Sequence, residues 1–311
     1  MSEFICNLCP RQCSARRGET GEGFCGMPAD PVLARAALHF DEEPVISGTQ
    51  GSGTVFFSGC SLKCVFCQNY GISHENFGRK VTVARLREIY RELIAQGANN
   101  INLVNPTHYA HAIIRSLEEK LPVPVVYNTG GYERAETLRA LEGKVDIYLP
   151  DLKYIDPKFS ERYSAAPDYF EFAAPALKEM HRQVGGVVIG EDGLMKKGMI
   201  VRHLILPGRA GESMRILRWI KENLPGAWVS LMAQYLPMGR AAEYPPLDRR
   251  ITQAEYDIVV NYMVKLGLTD GFMQELSSAE ETYIPTFDLS GVAGNAAARG
   301  ARLSAAGLTE K

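Results

Sequence analysis

Gly53-Thr54-Val55-Phe56-Phe57-Ser58, followed by Gly59-Cys60-Ser61-Leu62-Lys63-Cys64-Val65-Phe66-Cys67-Gln68-Asn69, decides the reading of this chain. The first run is strand-like and leads straight into a loop with the spacing C-x3-C-x2-C. No fourth cysteine follows. An ordinary cubane iron–sulfur cluster takes four thiolates, one per iron. Three close thiolates can hold three irons and leave the fourth open to a reacting molecule, as the open position does in a catalytic zinc site. The alternatives are a three-cysteine zinc site, or thiols that are merely buried together. The preceding Phe56-Phe57-Ser58-Gly59, and the aromatic Phe66 just before Cys67, favour the cluster.

Downstream of this loop the chain alternates. Helical periodicity runs from Thr82 to Ala98, with Leu86, Ile89, Tyr90, Leu93 and Ile94 on one face. Further helices are expected over Tyr109–Leu121, Arg134–Leu141, Tyr169–Val184, Ser213–Leu224 and Thr252–Leu266. The last opens on a Thr252/Glu255 capping box. Apolar strands begin near residues 54, 101, 123, 145, 200 and 227, and Gly190-Glu191-Asp192-Gly193 suggests a hairpin insertion. Six strands interleaved with helices imply a parallel sheet, either a barrel or a doubly wound layer. A dinucleotide fold is the weaker choice, because no G-x-G-x-x-G follows the first strand.

Composition limits the rest. The chain has 311 residues, 46% hydrophobic and 23% charged, enough for one large domain. Its net charge of −2 offers no basic surface for nucleic acid. No apolar run approaches the ~18 residues of a membrane span, and the N-terminus does not read as a signal peptide. All seven cysteines lie within the first 67 residues. An odd, clustered set argues for metal ligation in a reducing cytoplasm rather than for disulfides. Cys6, Cys9, Cys13 and Cys25 form C-x2-C-x3-C-x11-C, a complete ligand set. Tetrahedral sulfur suits zinc or a second iron–sulfur cluster, and no metal at all is the third option. Residues 1–50 read as an irregular Cys-rich extension, 51–287 as the main domain, and 288–311 as an Ala/Gly-rich flexible tail.

In α/β barrels the reactive groups lie beyond the C-terminal ends of the strands. The cysteine loop obeys this rule. So do Asn105-Pro106-Thr107-His108 after strand two, Asn128-Thr129-Gly130-Gly131 after strand three, Asp151-Leu152-Lys153 after strand four, Arg202-His203 on strand five and Gln234-Tyr235 after strand six. His108 and His203 read as hydrogen-bonded structural residues.

C-x3-C-x2-C with an aromatic before its third Cys resembles the radical S-adenosylmethionine (SAM) superfamily. The resemblance implies an α/β fold, a partial, open (β/α)6 TIM-like barrel with the Cys-rich extension ahead of it. It also implies a [4Fe–4S] cluster on Cys60, Cys64 and Cys67, with SAM on the open iron through its amino and carboxylate groups. One electron would cleave SAM to methionine and a 5′-deoxyadenosyl radical. The expected partners are an electron donor such as flavodoxin or ferredoxin, and a glycyl radical enzyme. That last partner follows from three segments similar to the glycyl radical activating enzymes, the branch of pyruvate formate-lyase activating enzyme and its relatives. They are Asn128-Thr129-Gly130-Gly131, Asp151-Leu152-Lys153, and Arg202 with Pro207-Gly208. The branch usually ends strand two in Gly-Gly-Glu to hold the SAM ammonium group. Here Asn105 and Thr107 stand there instead, and Gly130-Gly131-Tyr132-Glu133 follows the wrong strand to inherit the role. Phe66, Asn105, Thr107, Asn128, Thr129, Asp151, Lys153, Arg202 and Gln234 are thus the expected cofactor-binding residues. Modification of a small molecule or peptide, and a non-catalytic zinc-binding interaction protein, are the competing functions.

Overall fold

The computed structural model describes residues 3–276 and 285–294. Its strands, in chain order, are β1 (Phe4–Cys6), β2 (Ala15–Arg17), β3 (Val32–His39), β4 (Ser52–Phe57), β5 (Arg79–Lys80), β6 (Ile101–Val104), β7 (Val125–Thr129), β8 (Ile147–Pro150), β9 (Val188–Ile189), β10 (Met195–Leu204), β11 (Trp228–Met232) and β12 (Gly271–Met273). The main sheet runs β12-β11-β10-β8-β7-β6-β4-β3-β5. From β4 to β12 every neighbouring pair is parallel. The six expected strands thus lie side by side in sequence order, and β12 adds a seventh. Among the described residues the two edges do not pair, so the sheet does not close into a barrel.

The strands are continuous apolar runs because both faces are covered. Val55, Phe57, Leu103, Tyr127, Tyr148, Val201 and Val229 are buried against the helices in the main core. Val126, Ile147, Leu149 and Ile200 form a second cluster around Ile46. Ile46 sits in the short helix Pro44–Ser47, which hydrogen bonds anchor to the start of β4 through Ser47 O and Gly51 N (2.9 Å). Asn99 and Asn100, just ahead of β6, donate to Ser47 O (2.6 Å) and Ile46 O (2.8 Å), which sets that helix at the N-terminal end of the strand. No helix among the described residues is long and apolar enough to cross a membrane.

Helix Tyr169–Val184 matches its expected span. The helix after Thr82 is Val83–Ala95, with the Thr82 hydroxyl accepting from Arg85 N. The capping box of Thr252 and Glu255 is present ahead of Gln253–Lys265. Helices Ala110–Ser116 and Ala135–Arg139 are shorter than their periodicity suggests, while Ala210–Asn223 starts earlier. The hairpin forms, with β9 antiparallel to β10. Helix Pro157–Ser164, capped by Asp156, had no expected counterpart.

Two readings of the chain ends differ from the structure. The first fifty residues are not irregular throughout: β3 pairs antiparallel with β4 from Leu33↔Phe57 to His39↔Ser52. The start of the Ala/Gly-rich segment is also held in place. Ala36 N donates to Ser290 O (2.8 Å), Leu289 N donates to Ala34 O (3.0 Å), and Val292 is buried. Both differences share one cause: the open edge beside β4 would otherwise expose unpaired backbone. Residues 295–311 of that segment lie outside the described residues.

Candidate active site

Gly59 turns the chain out of β4 with φ +80°, and a Cβ there would collide with the Met27 side chain and lie 3.2 Å from the Cys25 carbonyl. Only glycine meets both demands without strain. The following loop is held by Arg11 Nε on Ser61 O (2.8 Å), Asn105 Nδ2 on Gly59 O (2.6 Å) and Val65 N on Tyr163 O (2.9 Å). Each sulfur receives a donor. Leu62 N donates to Cys60 Sγ (3.3 Å), Ser164 Oγ to Cys64 Sγ (3.0 Å) and Ser73 Oγ to Cys67 Sγ (3.2 Å).

Burial and the neighbouring Cys64 push the Cys60 thiol up to about 12 and Cys67 up to about 11. Burial also raises Cys64, against the opposing charge of Lys153. Such thiols ionise readily only around a cation, which is what metal ligation supplies. Three sulfurs, each with a hydrogen-bond donor, fit a cluster held at three irons. Donors to sulfur are also the means by which a protein tunes cluster potential. Among the described residues no three His, Cys, Asp or Glu side chains converge on one metal-sized point, at this loop or elsewhere.

Cys64 and Cys67 face a cavity of about 320 Å³. That lies within the ~300–1,000 Å³ of small-molecule sites. Asn128, Asp151, Lys153, Arg202 and Gln234 line it from four parallel strands, with Phe66 on the loop. These are six of the nine expected cofactor residues. Phe66 packs on Tyr235 (centroids 5.8 Å apart) rather than standing free.

The other three lie elsewhere. Asn105, at φ +57°, spends its side chain on Gly59 O and Cys60 Sγ, bracing the cysteine loop. Thr107 and Thr129 are buried, and both hydroxyls donate to the Glu133 carboxylate. The hydroxyl expected to accept an ammonium group is therefore engaged away from the cavity. Glu133, the last residue of the displaced Gly-Gly-Tyr-Glu, is itself fully buried, and burial pushes it up to about 7 despite the two hydroxyls. His108 bonds to Ser58 O (2.7 Å), and His203 bonds to Leu152 O and Ser213 Oγ (2.8 Å each), both as structural residues.

An ion network joins the cavity walls. Arg202 Nε contacts Asp151 Oδ1 at 2.9 Å, Nη1 contacts Glu42 Oε2 at 3.5 Å, and Nη2 donates to Asn128 Oδ1 at 2.6 Å. Lys153 Nζ reaches Asp151 Oδ2 at 2.6 Å. Burial opposes charge here, yet Arg202 and Lys153 together hold Asp151 below its ordinary value. Glu42 also accepts from Asn102 Nδ2 (3.0 Å) and Asn128 Nδ2 (3.2 Å). Burial raises Glu42 and Glu43 even beside Arg202, and Glu43 Oε2 is buried with no hydrogen-bond partner.

Glu42 and Glu43 were absent from the expected site. They descend from β3 into the floor of the cavity, just ahead of the Pro44–Ser47 helix. The available signal was Asp41-Glu42-Glu43-Pro44, three acids before a proline in a segment otherwise rich in Cys, Gly and Arg. Ser230 of β11 and Gln274, just past β12, complete the far wall.

The N-terminal cysteines form a separate group. Cys6, Cys9 and Cys25 are buried and Cys13 is exposed. Burial raises Cys9 to about 12 and also raises Cys25.

Parts of this chain are similar to known proteins. The model of the radical SAM superfamily matches residues 54–195, which hold the cysteine loop and the ends of β6, β7 and β8. An uncharacterized protein of Methanocaldococcus jannaschii is 31% identical over 277 residues, covering 85% of this chain and 75% of its own length. Among solved structures, Streptococcus suis SuiB bound to its precursor peptide SuiA aligns with 71% of this chain at 14% identity and TM-score 0.49; this chain spans 48% of it. Methylornithine synthase aligns with 66% of the chain, which spans 59% of that structure, at 17% identity and TM-score 0.45. An open parallel sheet, a three-cysteine loop on its first parallel strand and the family match over that same region place this chain in the radical SAM superfamily.

Proposed function

We propose that this chain draws a hydrogen atom from a backbone glycine of a partner enzyme, taking its electron from a flavodoxin- or ferredoxin-type donor. One observation carries the reading. Asp151 and Lys153 come from one segment similar to glycyl radical activating enzymes and Arg202 from another, and the three meet in a single ion network beside Cys64 and Cys67. A bound cluster and SAM would supply the primary radical.

The chain's own residues do the rest. Cys60, Cys64 and Cys67 would hold the cluster. Lys153, whose charge reaches Cys64, offsets the negative charge of the thiolates. Arg202, fixed by three partners, holds the walls of β7, β8 and β10 in register. Phe66, Leu204, Met232, Tyr235 and Phe272 keep much of the lining apolar, which limits the water a carbon radical can meet. A second reading, modification of a small cationic substrate, rests on Glu43, whose unpartnered carboxylate oxygen lies at the cavity floor.

The test is anaerobic. The reconstituted protein is reduced with SAM, and 5′-deoxyadenosine is measured with and without glycyl radical enzymes of the same organism. The expected result is partner-dependent 5′-deoxyadenosine and a glycine-centred paramagnetic signal on the partner. SAM cleavage with no such signal on any of them would reject the glycyl assignment.

A further inference from the structure

We propose that Cys6, Cys9, Cys13 and Cys25 bind one zinc ion as a closed tetrathiolate site, with the buried guanidinium of Arg17 balancing its charge. The site is separate from the cavity and independent of the function proposed above.

The first argument is the fold of the segment. β1 and β2 pair with Cys6 opposite Ala15, and Gly26 N closes a turn on Gly23 O (3.2 Å). A Cβ at Gly23 would lie 2.7 Å from Cys13 Sγ and 2.7 Å from the Ala15 Cβ. The turn carrying Cys25 is thus pressed onto Cys13 and onto the residue paired with Cys6. A Cβ at Gly21 would collide with Gly26 O. The four cysteines make a closed sulfur set, and closed sulfur sets are the usual structural zinc sites.

The second argument is Arg17. It is fully buried, and the ion pairs of the described residues include none to it. Its guanidinium donates to Met27 O (3.0 Å), Pro28 O (3.1 Å) and His108 O, and lies 3.8 Å from Cys6 Sγ. Carbonyl dipoles solvate this buried cation, and a nearby anion would lower the cost of burying it further. Zinc with four thiolates carries a net double negative charge, and the nearest sulfur already faces Arg17.

The four sulfurs do not converge on one point, but neither do those of Cys60, Cys64 and Cys67. Convergence therefore does not separate the two sets. The placement gives the site a task. The Cys25 carbonyl backs onto Gly59, and Arg11, lying over the Phe24 ring at 3.8 Å, donates to Ser61 O. A rigid metal module would brace the catalytic loop from behind.

Elemental analysis of the full chain after anaerobic reconstitution tests this. The expected result is one zinc per chain alongside the iron of the catalytic loop. Cys25→Ser should lose the zinc and keep the iron. If that variant fails to fold, Cys13→Ser, at the exposed ligand, should weaken zinc in competition with a chromophoric chelator. Arg17→Met should weaken zinc about tenfold, as loss of an outer-shell partner does, with Arg17→Lys recovering most of it. Wild-type protein without zinc, whether its iron is doubled or not, would overturn the proposal. So would zinc retained in Cys25→Ser, or zinc held by Cys13→Ser as tightly as by the wild type against the chelator.

Discussion

Glu133 shows what a single buried carboxyl does to this molecule. Burial raises it from 4.5 to about 7 although two threonine hydroxyls donate to it. An acid whose folded value lies above its unfolded value keeps its proton in the fold after the unfolded chain has lost it. Stability should therefore fall as pH rises from about 4.5 to about 7 and level off beyond, by up to about 3 kcal/mol. Denaturant titrations across that range should show the slope in the wild type and a flatter one in Glu133→Gln; equal slopes would refute the assignment. Arg202 presents the converse case. Arg202→Met leaves Asp151 and Glu42 without their shared counter-charge, and breaking a buried pair from one side costs about 3–5 kcal/mol. The loss should shrink at low pH, where the two acids take up protons, and unfolding at pH 8 and pH 5 would show it. Cys64→Ala should reduce 5′-deoxyadenosine formation to background in an assay of the reduced, reconstituted protein. Retained SAM cleavage would remove Cys64 from the cluster.

Among the elements, the parallel strands and their polar ends were legible because a repeated β/α unit writes its period into the sequence: apolar strand, polar end, amphipathic helix. Asp151, Lys153, Arg202 and Gln234 could be placed on one face by that rule alone. Glu42 and Glu43 could not, because they enter from outside the repeat. β3 itself, Val32-Leu33-Ala34-Arg35-Ala36-Ala37-Leu38-His39, is rich in helix formers and owes its strand state to pairing with β4. Asn105 and Thr107 illustrate the opposite failure. Their position at a strand end was read correctly, but sequence does not reveal that a buried Glu133 would claim one hydroxyl, or Gly59 one amide. Gly59 also links two elements, since the Cys25 turn packs where its side chain would be. Gly59→Ala combines a positive φ with a collision against Met27 and should cost about 1–3 kcal/mol. Its sharper signature should be lower iron retention on gel filtration than wild type, because the strain falls at the residue before Cys60.

For the whole molecule, the governing fact is an open sheet that must protect its edges. On the β4 side protection comes in two layers: β3 pairs with β4, and residues 288–292 then cover β3. Arg85 ties this strap down from the Val83–Ala95 helix. It donates to Gly291 O (3.1 Å) and Val292 O (3.2 Å) while paired with Glu92 at 2.7 Å. The strap also passes close to the site, since Phe287 packs edge-on against Phe56 (centroids 5.4 Å apart) and Phe56 lines the cavity. A chain ending at residue 286 would therefore expose the outer hydrogen bonds of β3 and the pocket that Val292 fills. Burying one valine is worth about 1.5–3 kcal/mol, and losing the β3 cover adds to that, so the truncated protein should melt several degrees lower. It should also self-associate with rising concentration, as unprotected edge strands do. Sedimentation velocity together with thermal unfolding measures both effects. An unchanged melting temperature with a monomeric profile would mean that β3 alone protects this edge.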